Sequence, residues 1–307
     1  MSRKNGAFAP TASLGLEKVE LAFREALQDV FGKLDWLPVA DGGIHRFHVP
    51  GDRSGSLNGW YVLHADGIAS GAFGSWKAGG SQTWSSRKPA DPLEAQLIAE
   101  RIEQAKRQRD AERERLRAKA AERAQRLWRD ARRADPDHAY LQSKHVRPYA
   151  LRQHDDLLLV PLYHGGQLVN LQRIGPDGSK RFLSGGRVVG AYSPLGCIEP
   201  GRQLYVCEGW ATAATLHQHS GCAVAAAMNA GNLKSVALAL RAKYGELIEL
   251  VIAGDDDRQT EGNPGRTAAT AAALAVGGLV TFPEWPPGAP LNLSDFNDLA
   301  DWRAAHE

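Results

Sequence analysis

The sequence predicts an α/β domain built on a parallel sheet in its last third, preceded by a small α+β segment, a long basic helix and an N-terminal α+β module. From about residue 197, short apolar runs alternate with helical patterns, as in βαβ crossovers. The stretch Leu93–Arg133 contains neither Gly nor Pro and is rich in helix-forming residues, so it predicts one helix over about 92–133. Before that helix, Gly and Asp-Gly turns separate short apolar runs, which predicts a small strand-rich module.

In the last third, each element follows from a short apolar run or a longer helical pattern. We expect strands at 204–207, 223–227, 247–253 and 279–282. We expect helices at 211–218, 233–243, 266–276 and 295–305. Because ligands bind at the carboxyl ends of parallel strands, the residues that follow these strands are the first candidates for function.

Between the long helix and this domain, the pattern predicts a short helix at 139–144 and a β-hairpin. The hairpin strands are 157–163 and 168–174, and Gly165-Gly166 supplies the turn. A further strand is expected near 187–192.

The N-terminal module is predicted from helical spacing over residues 13–31 and four strand-like runs after it. These runs are 44–49, 60–64, 68–73 and 82–85. The resulting segments are an N-terminal module (1–90), a long basic helix (91–135), a basic α+β segment (136–196) and a parallel-sheet domain (197–307).

The net charge of +2 hides an uneven distribution of 37 Lys and Arg against 35 Asp and Glu. Residues 101–133 carry 13 basic and six acidic side chains, a local net charge of +7. This helix could be a solvated spacer held by pairs such as Glu103–Arg107, or a basic rod that lies along phosphates. Composition alone favours the spacer.

Several classes of protein are excluded by what the sequence lacks. It has no run of 18 apolar residues and no apolar signal segment near its start, so we expect no membrane contact and a cytoplasmic location. Its three cysteines show no C-x-x-C pairing, which argues against a disulfide framework and a zinc site. There is no G-x-x-x-x-G-K-[ST] motif of a nucleotide-driven motor.

Acidic side chains follow two of the predicted strands. Glu208 comes directly after one strand, and Asp255-Asp-Asp257 follows another. Asp295 and Asp298 form a third acidic group after the last strand. Alone, such a Glu is most often a helix N-terminal charge, and an Asp-rich run is most often a turn. Together they predict carboxylates that converge on Mg²⁺ or Mn²⁺, since these cations prefer oxygen ligands.

These residues carry a resemblance to a known family. The segments Glu208-Gly-Trp-Ala-Thr-Ala and Ala253-Gly-Asp-Asp-Asp257 resemble the TOPRIM domain shared by DnaG-type primases, topoisomerases and some nucleases. Gly265-Arg-Thr-Ala-Ala and Asp295-Phe-Asn-Asp-Leu are similar to the plasmid- and phage-encoded branch of primases, including TraC-type primases. Upstream, Lys180-Arg-Phe-Leu-Ser-Gly-Gly resembles the segment before TOPRIM in DnaG-type primases.

The resemblance implies roles for individual acids. Glu208, Asp255 and Asp257 match the catalytic and metal-holding acids of the family, and Glu208 also matches a proposed general base. Asp295 matches a later acidic position that would add to the metal site. Asp256, between the two matched aspartates, would lie outside the metal's immediate ligands.

The resemblance assigns Arg173, Lys180 and Arg181, in the segment before TOPRIM, to nucleotide and template binding; without it, they could be a solubilising hairpin edge. Beside a polymerase core, the basic helix could follow single-stranded DNA through Arg113, Arg115 and Arg117. Trp60 and Trp76 in the N-terminal module could stack unpaired bases, although a small aromatic core is the favoured interpretation of these residues.

The function implied is synthesis of short RNA primers on single-stranded DNA from ribonucleoside triphosphates, with Mg²⁺ or Mn²⁺ and without zinc. A mobile element, plasmid or phage, is the expected source, and a replicative helicase is a possible partner. A metal-dependent nuclease is the first alternative, because TOPRIM domains also cleave strands. A non-catalytic nucleic-acid-binding accessory factor is the second.

Overall fold

A computed structural model describes the backbone of residues 13–306 and the side chains of residues 15–306. The first 12 residues of the predicted N-terminal module therefore lie outside the described part. The chain forms two compact units, and the division between them falls within one helix, at Glu114 and Arg115.

The first unit is a four-stranded antiparallel sheet with a helix packed on it. Helix α1 is Ser13–Phe31, and strands β1 to β4, which lie in chain order, are His45–Phe47, Gly59–His64, Ser70–Ser75 and Gly79–Ser85. Phe23 and Leu27, one helical turn apart on α1, are fully buried. The ring of Phe23 lies 5.3–5.8 Å from those of Tyr61, Phe73 and Trp84. The core of this unit is therefore largely aromatic.

Helix α2 spans Pro92–Asp130 and is about 58 Å long at the usual rise per residue. It begins where the sequence predicts: Asp91 Oδ1 accepts a hydrogen bond from the backbone N–H of Glu94 at 2.8 Å, and proline fills the first helical position. It ends three residues before the predicted end at 133, because residues 132–133 form a strand instead.

A stripe of small residues holds the second half of α2 against a sheet. Ala120 and Ala124, one turn apart, are buried, and Ala124 packs with Leu159 and Leu171 of that sheet. Arg152 donates to the carbonyl of Trp128 at 2.5 Å and so satisfies a backbone acceptor in the last turn. The exposed faces of this half are left to charged residues.

The sheet beneath this half of α2 is antiparallel and opens the second unit. Strands β5 to β9 lie in chain order and are Arg132–Arg133, Arg152–His154, Leu157–His164, Gln167–Ile174 and Lys180–Phe182; the short helix α3 is Ala139–Ser143. Alternate residues face opposite sides. Leu159 and Leu171 pack towards α2, whereas Leu158 and Ile174 pack in the cluster that contains Trp210.

The last sheet has the predicted alternation of strands and helices. Its strands β10 to β14 are Ser193–Leu195, Gln203–Cys207, Ala223–Ala226, Glu249–Ala253 and Leu279–Thr281, and the order across the sheet is β10-β12-β11-β13-β14. Its helices α4 to α7 are Trp210–Ser220, Leu233–Tyr244, Pro264–Val276 and Phe296–His306. All neighbouring strands are parallel except β10, which pairs antiparallel with β12. Apolar clusters cover both faces, as a parallel sheet requires.

The buried amide of Asn232 fastens a loop to this sheet. Its Nδ2 donates to the carbonyls of Val188, Ala191 and Ala227 at 2.8–3.0 Å, and its Oδ1 accepts from the Gly190 N–H at 2.8 Å. The side chain thus satisfies backbone groups that would otherwise be buried without partners.

The predicted mixed α/β architecture is confirmed, including the flanked parallel sheet, the long helix and the hairpin. The strand expected near 187–192 is wrong, because this segment is the loop that Asn232 holds and the strand lies at Ser193–Leu195. Among the described residues, no helix is long and apolar enough to cross a membrane.

Candidate metal and nucleotide site

Two of the predicted acids leave neighbouring strands at the same edge of the last sheet. Strands β11 and β13 are adjacent and parallel, and their last residues, Cys207 and Ala253, are paired. Glu208 follows the first strand directly, and Asp255 follows the second after one glycine. Parallel pairing in register therefore brings these carboxylates to one site, at the carboxyl ends of the strands.

A third acid reaches this site from the start of α7. The Oδ1 of Asp295 accepts from the backbone N–H of Asp298 at 2.8 Å, so Asp295 acts as the cap of that helix. Its Oδ2 accepts from the hydroxyl of Thr212 on α4 at 3.1 Å. The loop before α7 is thereby fixed beside the strand ends.

The three carboxylates are crowded and partly removed from water. Burial, followed by the nearby charge of Asp257, raises the pKa of Glu208 to about 7. Burial and the charges of Glu208 and Asp295 raise the pKa of Asp255 to about 8. Burial and Asp298 also raise the pKa of Asp295. Each carboxylate therefore makes ionisation of its neighbours costly, and a bound cation would remove that cost.

Two carboxylate oxygens of the site lack any protein partner. Glu208 Oε1 and Asp255 Oδ1 are buried without a hydrogen bond in the described part of the chain. Within that part, no three His, Cys, Asp or Glu side chains are arranged as a ready set of metal ligands. Mg²⁺ nevertheless fits these residues, because it keeps several waters and needs only one or two protein carboxylates with substrate phosphates.

Asp257 is held in place by the helix that follows it. Its Oδ2 accepts from the backbone N–H of Gly265 at 2.9 Å, in the first turn of α6. A Cβ on Gly265 would lie 2.6 Å from the carbonyl oxygen of Asp255 and 2.9 Å from Asp257 Oδ2. Only glycine therefore lets the helix approach the acidic loop this closely.

Asp256 points away from the other acids into a hydrogen-bonded clamp. Its carboxylate accepts from Asn263 Nδ2 at 2.8 Å, Arg266 Nε at 2.7 Å and Trp285 Nε1 at 3.1 Å. Burial acts to raise the pKa of Asp256, but the hydrogen bonds from Arg266 and Asn263 outweigh it and the pKa is lowered. Its backbone N–H also donates to the carbonyl of Ser294 at 2.7 Å. Asp256 thus ties the acidic loop after β13 to the loop that ends at Asp295.

Two lysines lie near the acids, Lys180 on β9 and Lys144 directly after α3. Lys180 is exposed at the sheet rim, and its Nζ lies 5.5 Å from the centre of the Tyr140 ring. Loss of hydration and the charge of Lys144 lower its pKa, while Asp295 and Asp255 act in the opposite direction. Lys144 lies 3.5 Å from Asp298, and Asp295 and Asp298 outweigh burial to raise its pKa. Sequence reasoning missed Lys144, which belongs to no motif and reaches the site only because α3 packs there.

Strand register separates the predicted arginines from Lys180. Arg173 and Arg181 are directly paired, so they share one face of the antiparallel sheet. Lys180 pairs with Ile174, which belongs to the apolar cluster on the other face, towards Trp210. The acidic site therefore receives Lys180 alone of these three, and Arg173 and Arg181 lie on the face that carries α2.

The remaining predicted residues lie elsewhere. Trp60 is 1% exposed, and its ring packs against Trp76 at a centroid distance of 6.0 Å, so it is closed to a nucleotide base. Arg113 pairs with Asp110 on α2 at 3.2 Å. Arg115 and Arg117 follow on the same helix.

Comparison with known proteins gives a domain family and two similar proteins. Residues 203–304 match the Toprim domain family. Two proteins named DNA primase TraC from Escherichia coli are similar over most of this chain. One is 36% identical over 274 residues, which cover 82% of this chain and 25% of the relative, and the other is 37% identical over 263 residues, which cover 81% and 18%. The chain therefore spans about a quarter or less of the curated relatives it matches.

Two solved structures show more distant likenesses. The zinc-binding and RNA polymerase domains of the Aquifex aeolicus primase match 94% of this chain and 84% of that chain at 15% identity, with a TM-score of 0.39. A DNA primase domain from Pseudomonas aeruginosa matches 50% of this chain and 48% of that chain at 17% identity, with a TM-score of 0.31.

The parallel sheet with acids at its strand ends is a Toprim domain. Over four fifths of its length, the chain is similar to the two proteins named DNA primase TraC.

Proposed function

We propose that this chain makes short RNA primers on single-stranded DNA by metal-dependent nucleotidyl transfer. The observation that supports this most is the pair of buried, unpartnered carboxylate oxygens on Glu208 and Asp255. Lys180 lies near enough to Asp255 and Asp295 for their charges to act on it. Phosphoryl-transfer sites combine carboxylates that hold Mg²⁺ with cations that contact phosphate oxygens. The similarity to proteins named DNA primase supports the same reaction class.

Glu208, Asp255, Asp257 and Asp295 would hold Mg²⁺ or Mn²⁺. When bound, such a cation offsets negative charge on the transferring phosphoryl group and orients the triphosphate. Glu208 would also act as the general base that takes a proton from the attacking 3′-hydroxyl.

The basic side chains would hold the nucleotide and the template. Lys180 and Lys144, beside the acids, would donate to phosphate oxygens of the ribonucleoside triphosphate. Arg173 and Arg181, on the opposite face of their sheet, would contact backbone phosphates of single-stranded DNA instead. Arg113, Arg115 and Arg117 on α2 would add sequence-independent phosphate contacts. The proposed reaction uses no zinc. A replicative helicase is a candidate partner, and the proposed location is the cytoplasm.

The test is incubation of the chain with single-stranded DNA, labelled ribonucleoside triphosphates and Mg²⁺ or Mn²⁺. We expect short RNA products that disappear with Asp255→Ala and with Glu208→Gln. Glu284→Gln, which removes an exposed carboxylate of the same domain, is the matched control and should keep the activity.

Two other results would redirect the proposal. Shortened DNA without RNA products would indicate a metal-dependent nuclease. DNA binding with neither product would indicate a non-catalytic accessory factor.

A further inference from the structure

The first unit contains an open cleft that none of the predicted site residues occupies. Its volume is about 790 Å³, within the usual range for ligand pockets. Trp36, Phe47, Tyr61, Lys33, Arg46 and His48 line it. The lining combines aromatic rings with basic side chains, which is the combination that binds single-stranded nucleic acid.

The aromatic part of the cleft has a rigid base and an accessible rim. Tyr61 and Phe47 are 3% and 5% exposed and belong to the core of the unit. Trp36 is partly exposed, and its ring lies 5.7 Å from that of Tyr61 at an interplanar angle of 20°. It also packs 5.2 Å from Phe47. The indole is therefore held at a fixed orientation with part of its surface open to the cleft.

The charged part of the cleft offers two basic side chains, Lys33 and Arg46, while its His45 is paired with Asp41 at 2.8 Å. Arg46 donates from both Nε and Nη2 to the carbonyl of Leu57, so its guanidinium is fixed at the rim. Lys33 is exposed, and His48 is held by the carbonyl of Ser56 at 3.0 Å. Among the described lining residues, Asp35 is the one acid.

We propose that this cleft binds an unpaired base of single-stranded DNA, which stacks on Trp36 while the flanking phosphates contact Lys33 and Arg46. A π-face accepts every base, so the site would hold a strand without reading its sequence. The inference rests on the proposed function, because it assigns the template a contact in the first unit. It gives Trp36 the stacking role that the sequence had suggested for the buried Trp60.

The test measures binding of the full chain to a fluorescein-labelled 15-nucleotide oligothymidylate by fluorescence polarisation. Trp36→Ala should weaken binding by about 5-fold or more, the lower end of what one stacked base contributes. Trp36→Phe should recover part of the loss because it restores a ring. Trp302→Ala removes another partly exposed tryptophan, stacked on His306 in the second unit, and should leave binding unchanged.

Salt dependence separates stacking from charge. Lys33→Gln should lower the slope of log affinity against log salt by about 0.7, the value for one phosphate contact on a single strand. Trp36→Ala should leave that slope unchanged. Equal affinity of wild type and Trp36→Ala for the oligothymidylate would overturn the proposal.

An abasic oligonucleotide distinguishes loss of base stacking from misfolding of the Trp36 variants. Wild type should prefer the oligothymidylate over an abasic strand of equal length, and Trp36→Leu, which fills the site without a π-face, should lose much of that preference. Equal preference in both proteins, or equal binding of duplex and single strand by wild type, would overturn the proposal. If the chain makes RNA but its DNA binding does not depend on Trp36, only this inference fails. If its DNA binding depends on Trp36 but it makes no RNA, only the proposed function fails.

Discussion

Asp255 is an ionisable group whose burial opposes folding at neutral and alkaline pH. Its pKa in the folded chain is about 8 against an ordinary value of 3.8, so the folded state holds a proton that the unfolded state releases. This group's contribution to stability is fully present below about pH 4 and is lost as the pH rises towards 8. A buried carboxylate with a strongly raised pKa marks a candidate functional site.

Asp255→Asn should therefore stabilise the metal-free protein at pH 9 and leave it little changed at pH 4. We expect a rise in melting temperature of at least about 2 °C at pH 9, which corresponds to roughly 1 kcal/mol for a chain of this size. Thermal unfolding in the presence of a chelator measures it. Glu17→Gln, at an exposed position, is the control, and a lower melting temperature of the Asp255 variant at pH 9 would contradict the prediction.

Asp256 should influence metal affinity without contacting the metal. Because its clamp joins the loop of Asp255 and Asp257 to the loop that ends at Asp295, Asp256→Asn should reduce Mn²⁺ affinity by about 10- to 100-fold, as is usual for residues that support metal ligands. Titration followed by electron paramagnetic resonance measures free Mn²⁺ directly. Trp285→Phe removes one of the three side-chain bonds and should have a smaller effect. Wild-type affinity in Asp256→Asn would show that the clamp does not control the site.

At the scale of elements, the second half of α2 depends on small residues. Ala124 is fully buried against the antiparallel sheet, whereas Ala118 of the same helix is exposed. Ala124→Leu should lower the free energy of unfolding by about 1–3 kcal/mol through overpacking. Ala118→Leu should change it by less than about 0.5 kcal/mol. Denaturant titration measures both, and equal effects would mean that α2 is not held by this stripe.

The sequence predicts elements well where periodicity and end signals agree. The start of α2 is marked by Asp91 and Pro92, and the acids are marked by their place after apolar strands. The segment 187–192 resembles a strand in composition, but the side chain of Asn232 satisfies its backbone from a distant part of the chain. No sequence pattern around Lys144 or Trp36 marks either residue as functional. Packing between separate elements brings Lys144 to the acidic site and Trp36 to the cleft of the first unit.

At the scale of the whole molecule, charge is partitioned. Residues 101–133 carry a net charge of +7 within a chain of net charge +2, so the remainder is acidic overall. Glu103–Lys106 and Arg113–Asp110 pairs use some of the helix charge internally. The remaining basic side chains of residues 101–133 could contact the phosphates of a nucleic acid.

On α2, we expect replacement of Arg113, Arg115 and Arg117 by Gln to weaken binding to single-stranded DNA. The slope of log affinity against log salt concentration should fall by about 2, because each phosphate contact on a single strand contributes about 0.7 to it. Fluorescence polarisation at several salt concentrations measures affinity and slope together. The control is a triple variant that removes the same charge from the second unit, with Gln in place of Arg202, Lys234 and Lys243. An unchanged slope in the helix variant would return α2 to the role of a spacer.

The alternation of Lys180 and Arg181 across β9 has a consequence for how this chain can change in evolution. The turn between β8 and β9, residues 175–179, sets which of the two residues faces the acids. Deletion of one residue there would shift the pairing by one and exchange the faces of the whole strand. Lineages should therefore tolerate insertions or deletions of two residues in this turn far more readily than those of one.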